Sequence, residues 1–284
     1  MISLTTNVYR LAVACLACSL SGCSNGPVES PDGYSLEAPV KLPLKEALSE
    51  ISGICFPGTN TNFMYAIEDE RGKIYTVDIK TGKSTAHPFG KKDDYEDLAC
   101  YQQYLYVMNS KGTIHLLSMP SGDTSEFVIK KSFEKVVPPA EYEGMCVAND
   151  SLYVLCKEGS LVDARQNLGI YTFKISETGD LIPGTIIQPA IDITKAENEK
   201  KKQKVLPSAI AKNPVNKQWY ILSGVNKLLM VFNEQFVLVN SYRLAANMFG
   251  QPEGLAFNEQ GDMFISNEEN TSQANILLFK YQQK

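Results

Sequence analysis

The sequence predicts an all-β protein, a five-bladed β-propeller, on three observations. A short strand motif returns five times, the same two strands follow it each time, and the period is that of a four-stranded blade. The first strands are Ser52-Gly53-Ile54-Cys55, Glu96-Asp97-Leu98-Ala99, Glu143-Gly144-Met145-Cys146, Ser208-Ala209-Ile210-Ala211 and Glu253-Gly254-Leu255-Ala256. Each runs Ser or Glu, then Gly, Asp or Ala, then a bulky apolar residue, then a small one. Second strands carry an aromatic in second place, at Tyr65, Tyr106, Tyr153, Tyr220 and Phe264. Third strands follow near Ile74, Thr113, Ile170, Leu228 and Asn275.

Successive repeats begin 44, 47, 65 and 45 residues apart. The long interval holds polar, unpatterned insertions at Glu158 to Leu168 and Lys195 to Lys204. Its excess of roughly 20 residues is too short for a sixth blade. After Glu253 there is room for three strands only, while a spare strand near Val40 to Leu44 precedes the first repeat. That strand is expected to complete the last blade and close the ring, which removes a free edge. Both faces of strands such as Leu228 to Phe232 are apolar, as stacked blades require.

The amino terminus predicts export. Arg10 precedes the apolar run Leu11 to Cys18, which has the length of a signal-peptide core and is too short to span a bilayer. Leu20-Ser21-Gly22-Cys23 then resembles the lipobox of bacterial lipoproteins, whose Cys is lipidated and becomes the first mature residue. The expected organisation is a lipoprotein signal peptide over 1–22, a linker over 23–36 rich in Ser, Gly and Pro, and a propeller domain over 37–284. Lipidation at Cys23 would anchor the protein to a membrane of the cell envelope, with the outer membrane favoured.

Formal net charge is −5, which disfavours a phosphate backbone as partner. The one basic stretch, Lys200 to Lys204, sits beside Glu197 and Glu199 without interleaved aromatics, so no nucleic-acid partner is expected. Beyond the signal, Cys55, Cys100, Cys146 and Cys156 remain. A hairpin at Asn149-Asp150 would set Cys146 opposite Tyr153 and Cys156 opposite Glu143. The four are therefore expected as buried thiols that serve as small core residues.

Five phrases stand in order along the chain: Leu48-Ser49-Glu50-Ile51-Ser52-Gly53, Asp94-Tyr95-Glu96-Asp97-Leu98-Ala99, Tyr142-Glu143-Gly144-Met145, Leu206-Pro207-Ser208-Ala209-Ile210-Ala211 and Gln251-Pro252-Glu253-Gly254-Leu255-Ala256. They close on Ile265-Ser266-Asn267-Glu268. This pattern resembles the SdiA-regulated (YjiK-like) family of bacterial envelope proteins over about Leu48 to Asn267. The resemblance implies a five-bladed propeller on an exported or membrane-anchored protein, and it assigns no reaction. A more distant similarity runs to metal-dependent propeller lactonases and to phytases, whose histidines and ligand sets have no counterpart here.

In a propeller the innermost strands start at one face, and the loops between second and third strands return to it. Glu96, Glu143 and Glu253 are thus expected to meet at one mouth of the channel, where Ser52 and Ser208 stand in the other two blades. Glu50, Asp94 and Glu268 are neighbours. Crowded carboxylates repel unless they are protonated, paired with Lys157 or Arg71, or bound to a cation. A set of hard oxygens favours calcium as the candidate cation. A structural role, in which each Glu bonds a neighbouring blade, is the competing expectation. His87 and His115 stand in no triad or zinc pattern, and the Tyr ladder is read as core. The functional expectation is a membrane-anchored binding module for a ligand or partner. A metal-dependent hydrolase of a phosphoester or lactone, and a protein-interaction scaffold, are the alternatives.

Overall fold

The computed structural model describes residues 29–58, 62–120, 126–159, 167–191, 204–270 and 272–283. Twenty strands within them form five four-stranded antiparallel sheets. Blade one comprises β2 (Ile51–Cys55), β3 (Phe63–Glu68), β4 (Lys73–Asp78) and β5 (Ser84–Pro88). Blade two comprises β6 (Tyr95–Tyr101), β7 (Tyr104–Asn109), β8 (Ile114–Ser118) and β9 (Val128–Phe133). Blade three comprises β10 (Glu141–Ala148), β11 (Ser151–Glu158), β12 (Gly169–Ile175) and β13 (Leu181–Ile187). Blade four comprises β14 (Ala209–Lys212), β15 (Trp219–Ser223), β16 (Leu228–Phe232) and β17 (Leu238–Arg243). Blade five takes β18 (Pro252–Phe257), β19 (Met263–Asn267) and β20 (Asn275–Phe279), and its outer strand is β1 (Val40–Pro43), paired from Val40 opposite Leu278 to Pro43 opposite Asn275. The inner strands β2, β6, β10, β14 and β18 pack in that order, and β18 returns to β2. The ring is therefore five-bladed and closed by the spare strand, as the repeats predict.

The core is divided into five layers, one between each pair of neighbouring blades. Strand β15 shows why its residues must be apolar on both faces. Trp219 and Ile221 pack toward blade three, while Tyr220 and Leu222 pack toward blade five, and all four are 0–1% exposed. Each such side chain contributes about 1.5–3 kcal/mol on burial, against about 1–2 kcal/mol of backbone ordering per residue. A strand apolar on one face alone would not meet that cost. The Tyr ladder is core in the same sense: Tyr106 is buried and its hydroxyl donates to Gly179 O at 2.8 Å, while Tyr220 accepts from Asn216 Nδ2 at 3.1 Å.

Between β10 and β11 the chain reverses at Asn149 and Asp150, both at positive φ (50° and 54°), as a tight hairpin turn requires. Cys146 faces Tyr153 as predicted, but Cys156 faces Tyr142 rather than Glu143. The cause is a bulge at Glu143 that shifts the register by one residue.

Two expectations need correction. Cys55 and Cys100 are not free thiols: they form a disulfide, with Cα atoms 6.2 Å apart and a sequence separation of 45. They sit near the ends of β2 and β6, so adjacency of two inner strands brings them together, a contact that pairing within one sheet does not reveal. Closing a loop of that length restricts the unfolded chain by about 4 kcal/mol. Cys146 and Cys156 remain thiols, and burial pushes both above the ordinary thiol range. The folded unit also starts before residue 37. Within the segment expected to be linker, Tyr34 is 9% and Leu36 2% exposed, packed against blades four and five. The signal peptide, Cys23 and the stretch from Lys195 to Gln203 lie outside the described residues.

Candidate ligand cavity at the channel mouth

Each acidic residue is aimed by a local irregularity in its strand. The ladder registers of β6, β10 and β18 slip at Glu96, Glu143 and Glu253, and that of β2 slips across Ser52 and Gly53. A bulge leaves one residue unpaired and turns it out of the pleat. The slip recurs at the same column of four blades, which directs that column to one end of the channel.

The next column sets how closely the blades approach. A Cβ on Gly254 would lie 2.4 Å from Ser52 O, and one on Gly144 would lie 3.0 Å from Ala209 Cα and Ile210 N. Only glycine fits these contacts without backbone movement. In blade two the column holds Asp97, fully buried, whose carboxylate accepts from Leu98 N (2.7 Å) and from Met145 N of blade three (2.6 Å). Burial raises its pKa well above the ordinary carboxylate value, opposed by those two bonds. The structural bridge between blades that was weighed for the glutamates thus belongs to Asp97. Ser208 makes another: its hydroxyl donates to Pro252 O (3.1 Å) and accepts from Gly224 N (3.2 Å).

Glu96, Glu143 and Glu253 line a single cavity of about 200 Å³ at the start of the inner strands. Asp69, Asp94, Lys157, Glu268, Ser52, Ser208 and the apolar Leu206, Pro207 and Val225 complete its wall. Glu50 does not line it, but its side chain hydrogen-bonds that of Glu268. Lys157 Nζ donates to Glu143 Oε1 at 2.6 Å, with the two side chains 27% and 11% exposed. Arg71, the other cation expected among the carboxyls, pairs with Glu68 at 3.7 Å instead.

Burial and mutual repulsion push most of these carboxyls upward. Burial raises Glu96 to about 9, helped by the neighbouring Glu143 and Asp94. Burial and Glu143 bring Glu253 to about 7, with Lys157, Gln251 and Lys227 pulling the other way. Burial and the shared bond with Glu50 lift Glu268 to about 8. Glu143 is raised by burial too, with the Lys157 hydrogen bond and charge opposing the rise. For Lys157, burial disfavours the charge, yet the Glu143 bond and the nearby Glu96 and Glu253 outweigh it and raise the ammonium. Asp69 is raised by burial and by Glu50, Glu70 and Asp94, and its Oδ1 is buried without a hydrogen-bond partner. Among the described residues no group of three or more His, Cys, Asp or Glu side chains is arranged to hold a metal ion.

Two polar neighbours escape the repeat as read from sequence. Lys227 lies in the loop between the second and third strands of blade four and donates to Gly250 O at 2.7 Å; burial lowers its pKa, opposed by Glu253. The same loop supplies Asp69 and Glu268 in other blades, and Lys157 stands at the end of the second strand of blade three, so its position marks it. Gln251, whose amide bonds Glu268, stands two residues before Glu253, as Asp94 stands before Glu96. Val225, 69% exposed, forms part of the rim. His87 on β5 and His115 on β8 lie away from the inner-strand starts, bonded to Thr76 (3.1 Å) and Ser132 (2.8 Å).

No protein-family model and no curated relative matches the chain. Solved structures do resemble it in shape. The PQQ-bound aldose sugar dehydrogenase of Streptomyces coelicolor aligns at a TM-score of 0.54 and 14% identity, over 89% of this chain and 100% of that one. A luciferin-regenerating enzyme aligns at 0.52 and 9% identity over 86% and 95% of the two chains. A streptogramin B lyase aligns at 0.50 and 11% over 86% and 98%. At these identities the likeness is one of fold, and it places the chain among the β-propellers.

Proposed function

We propose that this chain is an exported envelope lipoprotein of the SdiA-regulated type, anchored through Cys23, whose propeller binds a small polar ligand in the cavity at the channel mouth. The observation that carries the ligand reading is the cavity's polar lining. The buried carboxyls of Glu96, Glu253 and Glu268, the hydrogen-bonded Glu143–Lys157 pair and the unpartnered Asp69 Oδ1 face one space of about 200 Å³, and burial raises those three glutamates toward the form that can donate. Such a wall suits a molecule bearing hydroxyl or amino groups. An anionic phosphoester is its poorest match, since carboxyls outnumber the two lysines.

Binding is tested by thermal shift and calorimetry on the full chain with neutral polyols, primary amines, sugar phosphates and calcium as separate probes. Hydroxyl- or amine-bearing probes should bind, and Glu143→Gln should weaken them at least tenfold. Tight binding of phosphates or calcium alone would overturn the reading, and turnover of a lactone or ester panel would convert it to the hydrolase alternative. Mass spectrometry of membrane-extracted protein tests the anchor: any other mature amino terminus removes it.

A further inference from the structure

The chain enters the propeller from its amino-terminal side at one fixed place. Gln282 N donates to Gly33 O at 2.8 Å. The Tyr34 ring lies among Tyr281, Tyr220 and Phe257, with centroids 5.3, 6.1 and 6.4 Å away. Its hydroxyl donates to Gly261 O and accepts from Asn213 Nδ2, both at 2.5 Å. Gly261 and Asn213 lie in the turns that follow inner strands β18 and β14. The clasp therefore sits at the end of the ring where inner strands finish, opposite the polar cavity where they start.

That end has its own character. It opens on a second cavity of about 340 Å³, lined by Phe56, Met145 and Phe257 together with the charged Lys212 and Glu259 and the Cys55–Cys100 disulfide. Residues 29–33 already lie on the propeller, where Leu36 N donates to Ser30 Oγ at 2.9 Å, so the tether proper runs the six positions from Glu29 to Cys23. Six residues reach at most about 22 Å even when fully extended. The inner strands beside the clasp, β14 and β18 with four and six residues, are about 13 and 20 Å long. A tether leaving the clasped end would have to run nearly straight along the outside of a blade to bring the polar mouth to the bilayer.

We infer that the clasped end of the propeller is its membrane-facing surface, the partner being a phospholipid bilayer, and that the polar cavity opens away from the membrane. This rests on lipid attachment at Cys23 as read above. The orientation leaves the ligand cavity open to molecules diffusing in the compartment, while the mouth at the clasped end faces the bilayer.

The test uses full-length acylated protein in phosphatidylcholine–phosphatidylglycerol vesicles that carry a headgroup nitroxide. Val215, 37% exposed in the turn beside Gly261, and Val225, on the rim of the polar cavity, are changed one at a time. Val215→Trp should be quenched at least threefold more than Val225→Trp over the buried Trp219 background shared by both. Tyr34→Ala, which frees ten or more residues of tether, should narrow that difference. Equal quenching, or stronger quenching at Val225→Trp, in protein that sediments with the vesicles overturns the orientation alone. Failure of the unaltered chain to sediment overturns the anchor and the orientation with it. Melting profiles of both variants guard against misfolding, and hydrogen exchange of the unaltered chain gives the same answer independently: protection on vesicles at 213–218 and 258–262 supports the inference, and protection at 224–227 opposes it.

Discussion

Replacing Lys157 with Met exposes how the cavity tolerates its carboxyls. Lys157 is the only cation bonded to Glu143 among the described residues, and the pair is largely withdrawn from water. Without it, burial, Glu141 and Asp94 all push Glu143 upward and no hydrogen-bonded cation opposes them. The carboxyl then escapes by taking up a proton, which limits the cost. From an ordinary value of 4.5, holding that proton at about pH 7 costs about 3 kcal/mol, and at about pH 5 it costs under about 1 kcal/mol. A folded-state pKa raised above the unfolded one means the penalty is absent below the unfolded value and grows as pH rises toward the folded one. Urea denaturation at the two pH values should show Lys157→Met destabilised by about 2–3 kcal/mol more at the higher one. The double variant Glu143→Gln/Lys157→Met should recover most of that loss, because no buried charge is left without a partner. Equal destabilisation at both pH values, with no recovery in the double variant, would refute the account of the site as an ion pair set among protonated carboxyls.

The other predictions concern pH, the disulfide and blade spacing. Glu96, Glu253 and Glu268 are all raised, to about 9, 7 and 8, so their contribution to stability is present below about 4.5 and is lost as pH climbs through those values. The thermal midpoint should fall between pH 6 and pH 9, and Glu96→Gln should flatten the fall; an unchanged slope in that variant would place the effect elsewhere. Reduction of Cys55–Cys100, or Cys55→Ser, should cost about 3–4 kcal/mol in denaturant, while Cys146→Ser should not reproduce the loss of a cross-link. Gly254→Ala should cost more than Gly144→Ala, because its Cβ would lie 2.4 Å rather than 3.0 Å from backbone atoms; about 1–3 kcal/mol is expected for the milder case. Reversal of that order in chemical denaturation would show that the inner strands can spread.

The fold was legible because the repeat aligns residues that perform the same task in every blade. Ser52, Glu96, Glu143, Ser208 and Glu253 share a column, and one column means one place around the axis. What the column hid was the exchange of roles within it. Asp97 stands where Gly53, Gly144 and Gly254 stand in other blades, yet it bonds two backbone amides. The disulfide was unreadable from pairing within a sheet, since Cys55 and Cys100 approach across neighbouring blades. Tyr34 and Leu36 stand as two isolated apolar residues in a Pro- and Ser-rich stretch, too few to show periodicity. The offset between Cys156 and Glu143 arose from a bulge, which alternation of side chains does not announce.

Strand β1 pairs only with β20 within its sheet, joining Val40 to Leu278. This orders events in time as well as space. A chain emerging amino terminus first presents β1 long before its partner exists, so the last blade must wait until nearly all of the chain is available. Until then β1 is without its ladder partner, and blade five is unfinished. This pairing of distant chain segments is thus made late, at a large loop-closure cost. On the export proposed above, the ring would stay open while the polypeptide is threaded across a membrane and would lock only once β20 has arrived on the far side.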